Sequence, residues 1–157
     1  MKIELLRQAD LELVQRLVQL DKAAFGQGGM NEWQLVPLIR HGRVFTALRQ
    51  GEIAGCVQYM LDWDNPRSAY MVGVAMDEKV RGRGLGTEFI KQTLQILADE
   101  GLAAVELTVS LENTAAIRVY ETKLGFARTT IRRDEYGAGE HRVVMTVSLE
   151  NFAGRKE

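Results

Sequence analysis

The sequence predicts an α+β (mixed α/β) domain, one sheet with helices on both faces. Short apolar runs of strand length, bounded by turn residues, alternate with stretches whose apolar positions recur at helical spacing. No internal repeat, low-complexity segment or linker interrupts them. At 157 residues and 46% hydrophobic, the chain fits a single domain over residues 1–150, with 151–157 as a fraying tail.

Lys2 to Leu6 reads as the first strand, and Asp10 as the cap of a helix carrying Leu13, Val14, Leu17, Val18 and Leu20 and ending near Asp21. Gly26-Gln27-Gly28-Gly29 is a loop, and a second helix is expected from Trp33 to Arg40, with Pro37 as a point of break or bend. Three strands follow at Arg43 to Arg49, Glu52 to Leu61 and Ala69 to Met76, joined by turns at Gln50-Gly51 and Asp62 to Arg67. Leu85 to Glu100 is a long amphipathic helix, with Leu85, Phe89, Ile90, Leu94 and Leu97 in one stripe and Gly101 as its stop. A strand at Ala103 to Val109, a short helix from Thr114 to Lys123 closed by Gly125, and strands at Phe126 to Arg133 and His141 to Leu149 complete the order.

Composition excludes several functional classes. Cys56 has no second cysteine to pair with, and its apolar neighbours read it as a buried small side chain. His41 and His141 form no cluster with it at metal-ligand spacing, so no metal site is expected. Twenty basic against 21 acidic side chains leave no global attraction to nucleic acid or anionic membrane. Charges arrive early at the amino end and no apolar run approaches the ~20 residues of a membrane span, so the chain is expected in the cytoplasm.

The most informative segment is Val74-Ala75-Met76-Asp77-Glu78-Lys79-Val80-Arg81-Gly82-Arg83-Gly84-Leu85-Gly86-Thr87, a strand leading through a glycine-rich loop to a long helix. Glycines without Cβ let backbone amides approach a ligand, and a helix start presents free N–H groups and positive potential, a cradle for phosphate. The glycines also suit a tight turn with no ligand. Neither the dinucleotide nor the P-loop fingerprint fits, because the spacing is G-x-G-x-G and no lysine follows.

Arg81-Gly82-Arg83-Gly84-Leu85-Gly86 resembles the pyrophosphate-binding motif R/Q-x-x-G-x-G/A of the Gcn5-related N-acetyltransferases. The run from Leu107 through Asn113 and Ala116 to Tyr120, closing in Leu124-Gly125-Phe126, is similar to the same family's second cofactor motif. The matched region covers Ala69 to Phe126, with a weaker likeness around Tyr136 to Met145. The resemblance implies a mostly antiparallel central sheet in which the strands of Val74 and Thr108 splay apart to admit acetyl-CoA. It implies acetyl-CoA as donor, bound by Val74, Ala75, Met76, Arg81, Gly82, Arg83, Gly84, Leu85, Gly86, Thr87, Asn113, Ala116 and Tyr120. Gly73 falls where many members carry a β-bulge.

Direct acetyl transfer needs a neutral amine beside the thioester, a donor for the oxyanion and a group to meet the thiolate. The resemblance gives Tyr120 the last role, as general acid. Tyr120 lies seven residues after Asn113, about two helical turns, so both project from one face. A phenol of pKa ~10 is a weaker acid than a thiol of ~8.5, so hydrogen bonding to the thiolate is the lighter demand. A backbone amide near Met76 is the expected oxyanion donor. In relatives acting on ribosomal amino termini a glutamate base stands where this chain has Thr108, and Glu106, Glu32, Asp62 and Asp64 are left as alternatives. The acceptor is expected at residues 26–33, 62–67 and 136–140, where Trp33, Trp63 and Tyr136 suit a small cationic amine. The partners expected are acetyl-CoA and a primary amine of a small molecule or peptide, with homodimers common among similar proteins. A non-catalytic acyl-CoA sensor and an unrelated nucleotide binder are the competing readings.

Overall fold

The structure is a computed structural model that describes residues 1–153. Its backbone forms two compact units, the first made of Met1–Leu61 with Met71–Thr93, the second of Asp62–Tyr70 with the chain from Leu94 onward.

In the first unit β1 (Lys2–Leu5), β2 (Arg43–Arg49) and β3 (Glu52–Leu61) pair antiparallel, and the later residues of β4 (Ser68–Met76) lie beside β3. α1 (Leu11–Phe25) starts at Asp10, whose carboxylate accepts the Glu12 N–H at 3.0 Å. It runs a turn beyond Asp21, where the sequence reading ended it, because Asp21 joins Val14 and Leu17 on the buried face rather than closing the helix. Gly26, at φ 60°, ends it. α2 (Glu32–His41) begins with a capping box: the Asn31 side chain accepts the Gln34 N–H, and the Gln34 side chain accepts the Asn31 N–H. The helix continues through Pro37 without ending there.

Leu6, Val14, Leu17, Leu35, Ile39, Val44 and Cys56 form the core under α1 and α2. Each such aliphatic side chain, once fully buried, contributes roughly 1.5–3 kcal/mol. Strand alternation sends Phe45 and Tyr59 to the opposite face, where their rings meet edge to face at 6.1 Å. There the Tyr59 hydroxyl shares a 2.7 Å hydrogen bond with Thr93 on α3 (Leu85–Asp99). Helices therefore cover both faces of the first unit's sheet.

In the second unit β4 opens parallel to β5 (Ala104–Ser110), with registered pairs from Ser68↔Ala104 to Tyr70↔Glu106, while β5 itself runs on to Ser110. The full length of β5 pairs antiparallel with β7 (Arg142–Ser148), which in turn pairs with β6 (Ala127–Arg132). Val105, Leu107 and Val109 are buried and Glu106, Thr108 and Ser110 only partly so, which fixes the two faces of β5. α4 (Thr114–Leu124) connects β5 to β6 and ends on Gly125 in the left-handed conformation. Where the sequence reading placed a fraying tail from Asn151, a short α5 (Glu150–Ala153) forms, and the Phe152 carbonyl accepts the Gln95 Nε2–H at 3.0 Å. The rest of that expected tail lies outside the described residues. Among the described residues no helix is long and apolar enough to cross a membrane.

Candidate active site

In the first unit the glycine loop is built by local geometry. Asp77 caps a short 3-10 turn at Glu78–Val80, its carboxylate accepting the Lys79 N–H at 2.9 Å. Arg81 then folds back, its Nε–H donating to the Met76 carbonyl at 3.2 Å. Gly82 and Gly84 adopt φ 78° and 72°, a region that costs other residues about 1–2 kcal/mol, and neither has a neighbour within 4 Å of where a Cβ would stand. Their role is conformational, and the space beside them is open.

The first intrahelical bond of α3 runs from the Glu88 N–H to the Gly84 carbonyl at 3.1 Å. The N–H groups of Leu85, Gly86 and Thr87 precede it, so they have no acceptor within the helix. Exposed Arg81 and Arg83 flank them and add positive charge. This arrangement fits a pyrophosphate, which asks for converging N–H donors and nearby cations. Gly86 has a different reason: its Cβ would stand 3.3 Å from Met76 Cγ, so it lets α3 pack on the end of β4.

Val74 is half-buried and Ala75 fully buried, so Ala75 offers a ligand its backbone alone. Gly73 faces Gln58, whose Oε1 is 3.2 Å from the would-be Cβ. A cleft lined by Arg16, Gln19, Leu20 and Ile53, among others, shares Met76 and Arg81 with the loop.

In the second unit Tyr120 is half-buried on α4, with its ring edge to face with Phe126 at 5.6 Å. Burial pushes its phenol above the ordinary range, and the Arg142 cation pulls the other way. It therefore holds its proton at neutral pH, as a donor must. Asn113 caps α4, its side-chain oxygen accepting the Ala116 N–H at 3.2 Å. That bond leaves Asn113 its amide N–H groups, and it occupies the backbone N–H of Ala116, a residue the sequence reading placed at the cofactor.

Thr108 is the junction of a side-chain cluster. Its hydroxyl lies 3.0 Å from the Tyr70 hydroxyl and 3.4 Å from Arg142 Nε, and its carbonyl accepts from Arg142 Nη2 at 3.1 Å. The Tyr136 ring stacks on the Arg142 guanidinium at 5.1 Å, and its phenol is near enough to add to the upward shift of Tyr70. Burial raises the Tyr70 phenol, with the Thr108 bond opposing. Sequence reasoning singled out Thr108 and Tyr136 and missed Tyr70 and Arg142. Strand pairing over long sequence distances brings these together, and no local motif signals it.

The alternatives for a base are placed unequally. Glu106, on the same face of β5 as Thr108, is held by Arg132 at 3.4 Å. Asp62 accepts the Asp64 N–H at 3.0 Å in an exposed turn, and Glu32 is exposed in the first turn of α2. Trp33 and Trp63 are 82% and 96% exposed, so neither lines a formed pocket.

The profile described as "Acetyltransferase (GNAT) family" matches residues 12–126. Mycothiol acetyltransferase of Sanguibacter keddieii is 33% identical over 99 residues, 60% of this chain and 31% of that protein. The [ribosomal protein bS18]-alanine N-acetyltransferase of Escherichia coli K12 is 33% identical over 94 residues, 59% of this chain and 60% of that protein. The chain thus spans less than two thirds of either relative. The aminoglycoside 6'-N-acetyltransferase structure from Enterococcus faecium matches with a TM-score of 0.76 over 95% of this chain and 97% of that one, at 12% identity, which speaks to fold. With the profile covering well over half of its length, the chain belongs to the GNAT acetyltransferase family.

Proposed function

We propose that this protein is an acetyl-CoA-dependent N-acetyltransferase acting on a primary amine of a small molecule or peptide. The observation that carries the reading is the loop at Gly82 and Gly84, left-handed and open, leading into the free N–H groups of Leu85, Gly86 and Thr87 in a chain of this family. The family profile runs through segments of both units, which supports reading residues 1–150 as one acetyltransferase domain. The enzyme works in the cytoplasm, needs neither nucleic acid nor membrane, and is free to form a homodimer.

Acetyl-CoA supplies an activated acetyl thioester. In the transfer a carbon–nitrogen bond forms, the carbon–sulfur bond breaks, the amine loses one proton and the departing sulfur takes one. The loop amides with Arg81 and Arg83 hold the pyrophosphate, while the backbone of Val74 to Met76 orients the pantetheine arm and polarises the acetyl oxygen. Asn113 and Ala116 contribute at the start of α4. Tyr120, protonated at neutral pH, meets the developing thiolate with its hydroxyl. Thr108 cannot act as a base, so the amine's proton leaves by another route, with Glu106 the acid nearest along β5.

Thermal unfolding with acetyl-CoA, ATP or NAD tests the donor. A ligand at 100 times its Kd stabilises a fold by about 2.7 kcal/mol. Acetyl-CoA is expected to raise the unfolding temperature, ATP and NAD to leave it unchanged, and thiol release should follow when an amine panel is added. No shift with acetyl-CoA would sink the reading. A shift without thiol release from any amine would favour a sensor.

A further inference from the structure

Arg142 is a half-buried guanidinium for which no carboxylate lies within ion-pair distance among the described residues. Its neighbour across the β6–β7 pair, Arg132, differs: Glu106 holds it at 3.4 Å and Glu135 at 3.7 Å. Glu106 and Glu135 are thus spent on Arg132, Asp134 faces His141 at 3.8 Å, and the second cation, Arg142, has no carboxylate of its own among the described residues. A partly buried charge in that state is costly unless something else neutralises it.

Its geometry is fixed in advance. Nε and Nη2 donate to the Thr108 hydroxyl and carbonyl, at 3.4 and 3.1 Å, which locks the plane of the group. The Tyr136 ring covers one face at 5.1 Å from the central carbon. Of the five guanidinium N–H groups, both on Nη1 and one on Nη2 are left, and one from each nitrogen makes the end fork that matches two oxygens of a carboxylate. Tyr70 and Tyr136 stand beside it as further hydroxyls, and the charge of Arg142 is felt at the Tyr120 phenol in the same unit.

Resting on the acetyl-transfer reading, we infer that the acceptor is an amino acid whose free carboxylate is bound end-on by Arg142, within a frame made by Thr108, Tyr70 and Tyr136. This replaces the small cationic amine that Trp33, Trp63 and Tyr136 suggested. The face of Tyr136 is already occupied by an internal cation, and a fixed positive charge repels an acceptor that is only cationic.

The test measures thiol release for each proteinogenic amino acid against its carboxamide, which keeps amine and side chain and lacks the negative charge. The amide's amine is the weaker base and is more often neutral, so this bias runs against the expected result. The preferred amino acid should exceed its carboxamide by about tenfold or more in kcat/KM, the scale of one charge-assisted bidentate contact. Arg142→Gln should bring that ratio to about one by raising KM for the acid, and Arg142→Lys should restore part of it. Acetyl-CoA stabilisation of each variant checks that the fold is intact, and if Arg142→Gln does not fold, the wild-type ratio and Arg142→Lys decide. A wild-type ratio near one, a ratio that survives Arg142→Gln, or turnover confined to amines without a carboxylate overturns the inference while leaving acetyl transfer standing. Absence of any acetyl-CoA stabilisation removes both.

Discussion

The glycine loop of the first unit and the tyrosine–arginine cluster of the second are built from different material. The loop works through backbone: two left-handed glycines and the free N–H groups that begin α3, with nothing beyond glycine required of Gly82 and Gly84. The cluster works through side chains contributed by β4, β5, β7 and the loop at Tyr136, brought together by register. A backbone site must be written contiguously, because it depends on successive residues. A side-chain site can be assembled from anywhere that strand pairing reaches, and its members are individually replaceable. The first kind suits a donor group common to a family, the second an acceptor that differs between members.

The comparison breaks most sharply at Tyr120, where the general-acid role has to show as chemistry rather than binding. Tyr120→Phe is expected to lower kcat by about 100-fold, the lower end of what a positioned acid contributes, with acetyl-CoA stabilisation unchanged. The T-shaped contact with Phe126 involves the ring, which phenylalanine keeps, so fold stability should hold. An unchanged kcat would take Tyr120 out of the mechanism. Because the native phenol is raised by burial, activity that depends on its proton should persist through neutral pH and fall only above the ordinary phenol value.

A smaller effect is expected at the loop, and it should fall on binding and fold stability rather than on the chemical step. Gly82→Ala or Gly84→Ala places a Cβ into open space, so the cost is the left-handed backbone, about 1–2 kcal/mol. That corresponds to roughly 5–30-fold weaker acetyl-CoA binding, read by titration, with kcat at saturation little changed. Gly86→Ala is the contrasting control, since its Cβ meets Met76 rather than a strained backbone. Equal affinity in Gly84→Ala would mean the loop does not need that conformation to bind.

Both kinds of construction explain what could be read in advance. The alternating strands, the stripe of α3 and the glycine caps at Gly125 and Gly101 follow from local periodicity and turn chemistry, and the structure reproduces their order. The loop was legible for the same reason. Tyr70 and Arg142 were not, because Tyr70 reaches Thr108 through the parallel β4–β5 pair and Arg142 through the β5–β7 ladder. A strand residue's partner is set by register, which one sequence does not print. The helix end misplaced at Asp21 has a related cause: a charged residue on an apolar stripe reads as a stop, whereas burial satisfied by a tertiary hydrogen bond lets the stripe continue.

Asp21 also sharpens the contrast, being a buried side chain inside the unit that otherwise works by backbone. Its carboxylate accepts the Met30 N–H at 2.6 Å and so anchors the far end of the Gly26 to Gly29 loop. Beside it lie Gln58, whose Oε1 has no hydrogen-bond partner among the described residues, and Cys56, whose thiol is pushed up to about 12 by burial. Burial likewise raises the Asp21 carboxyl above its ordinary value, with the Met30 bond pulling back. The native state then holds this proton more tightly than the unfolded chain does. Its contribution to stability is fully present below the unfolded value of 3.8 and is lost as pH rises through the raised native one. Asp21→Asn keeps an oxygen for Met30 and removes the ionisation, and its new N–H can serve Gln58. The variant should match or exceed the wild type at pH 7, by an amount on the scale of one hydrogen bond, about 1 kcal/mol, with the advantage shrinking as pH falls toward 4. Urea midpoints across that range give the slope. An advantage that grows toward low pH would show that the carboxylate, rather than its protonated form, is what the buried site favours.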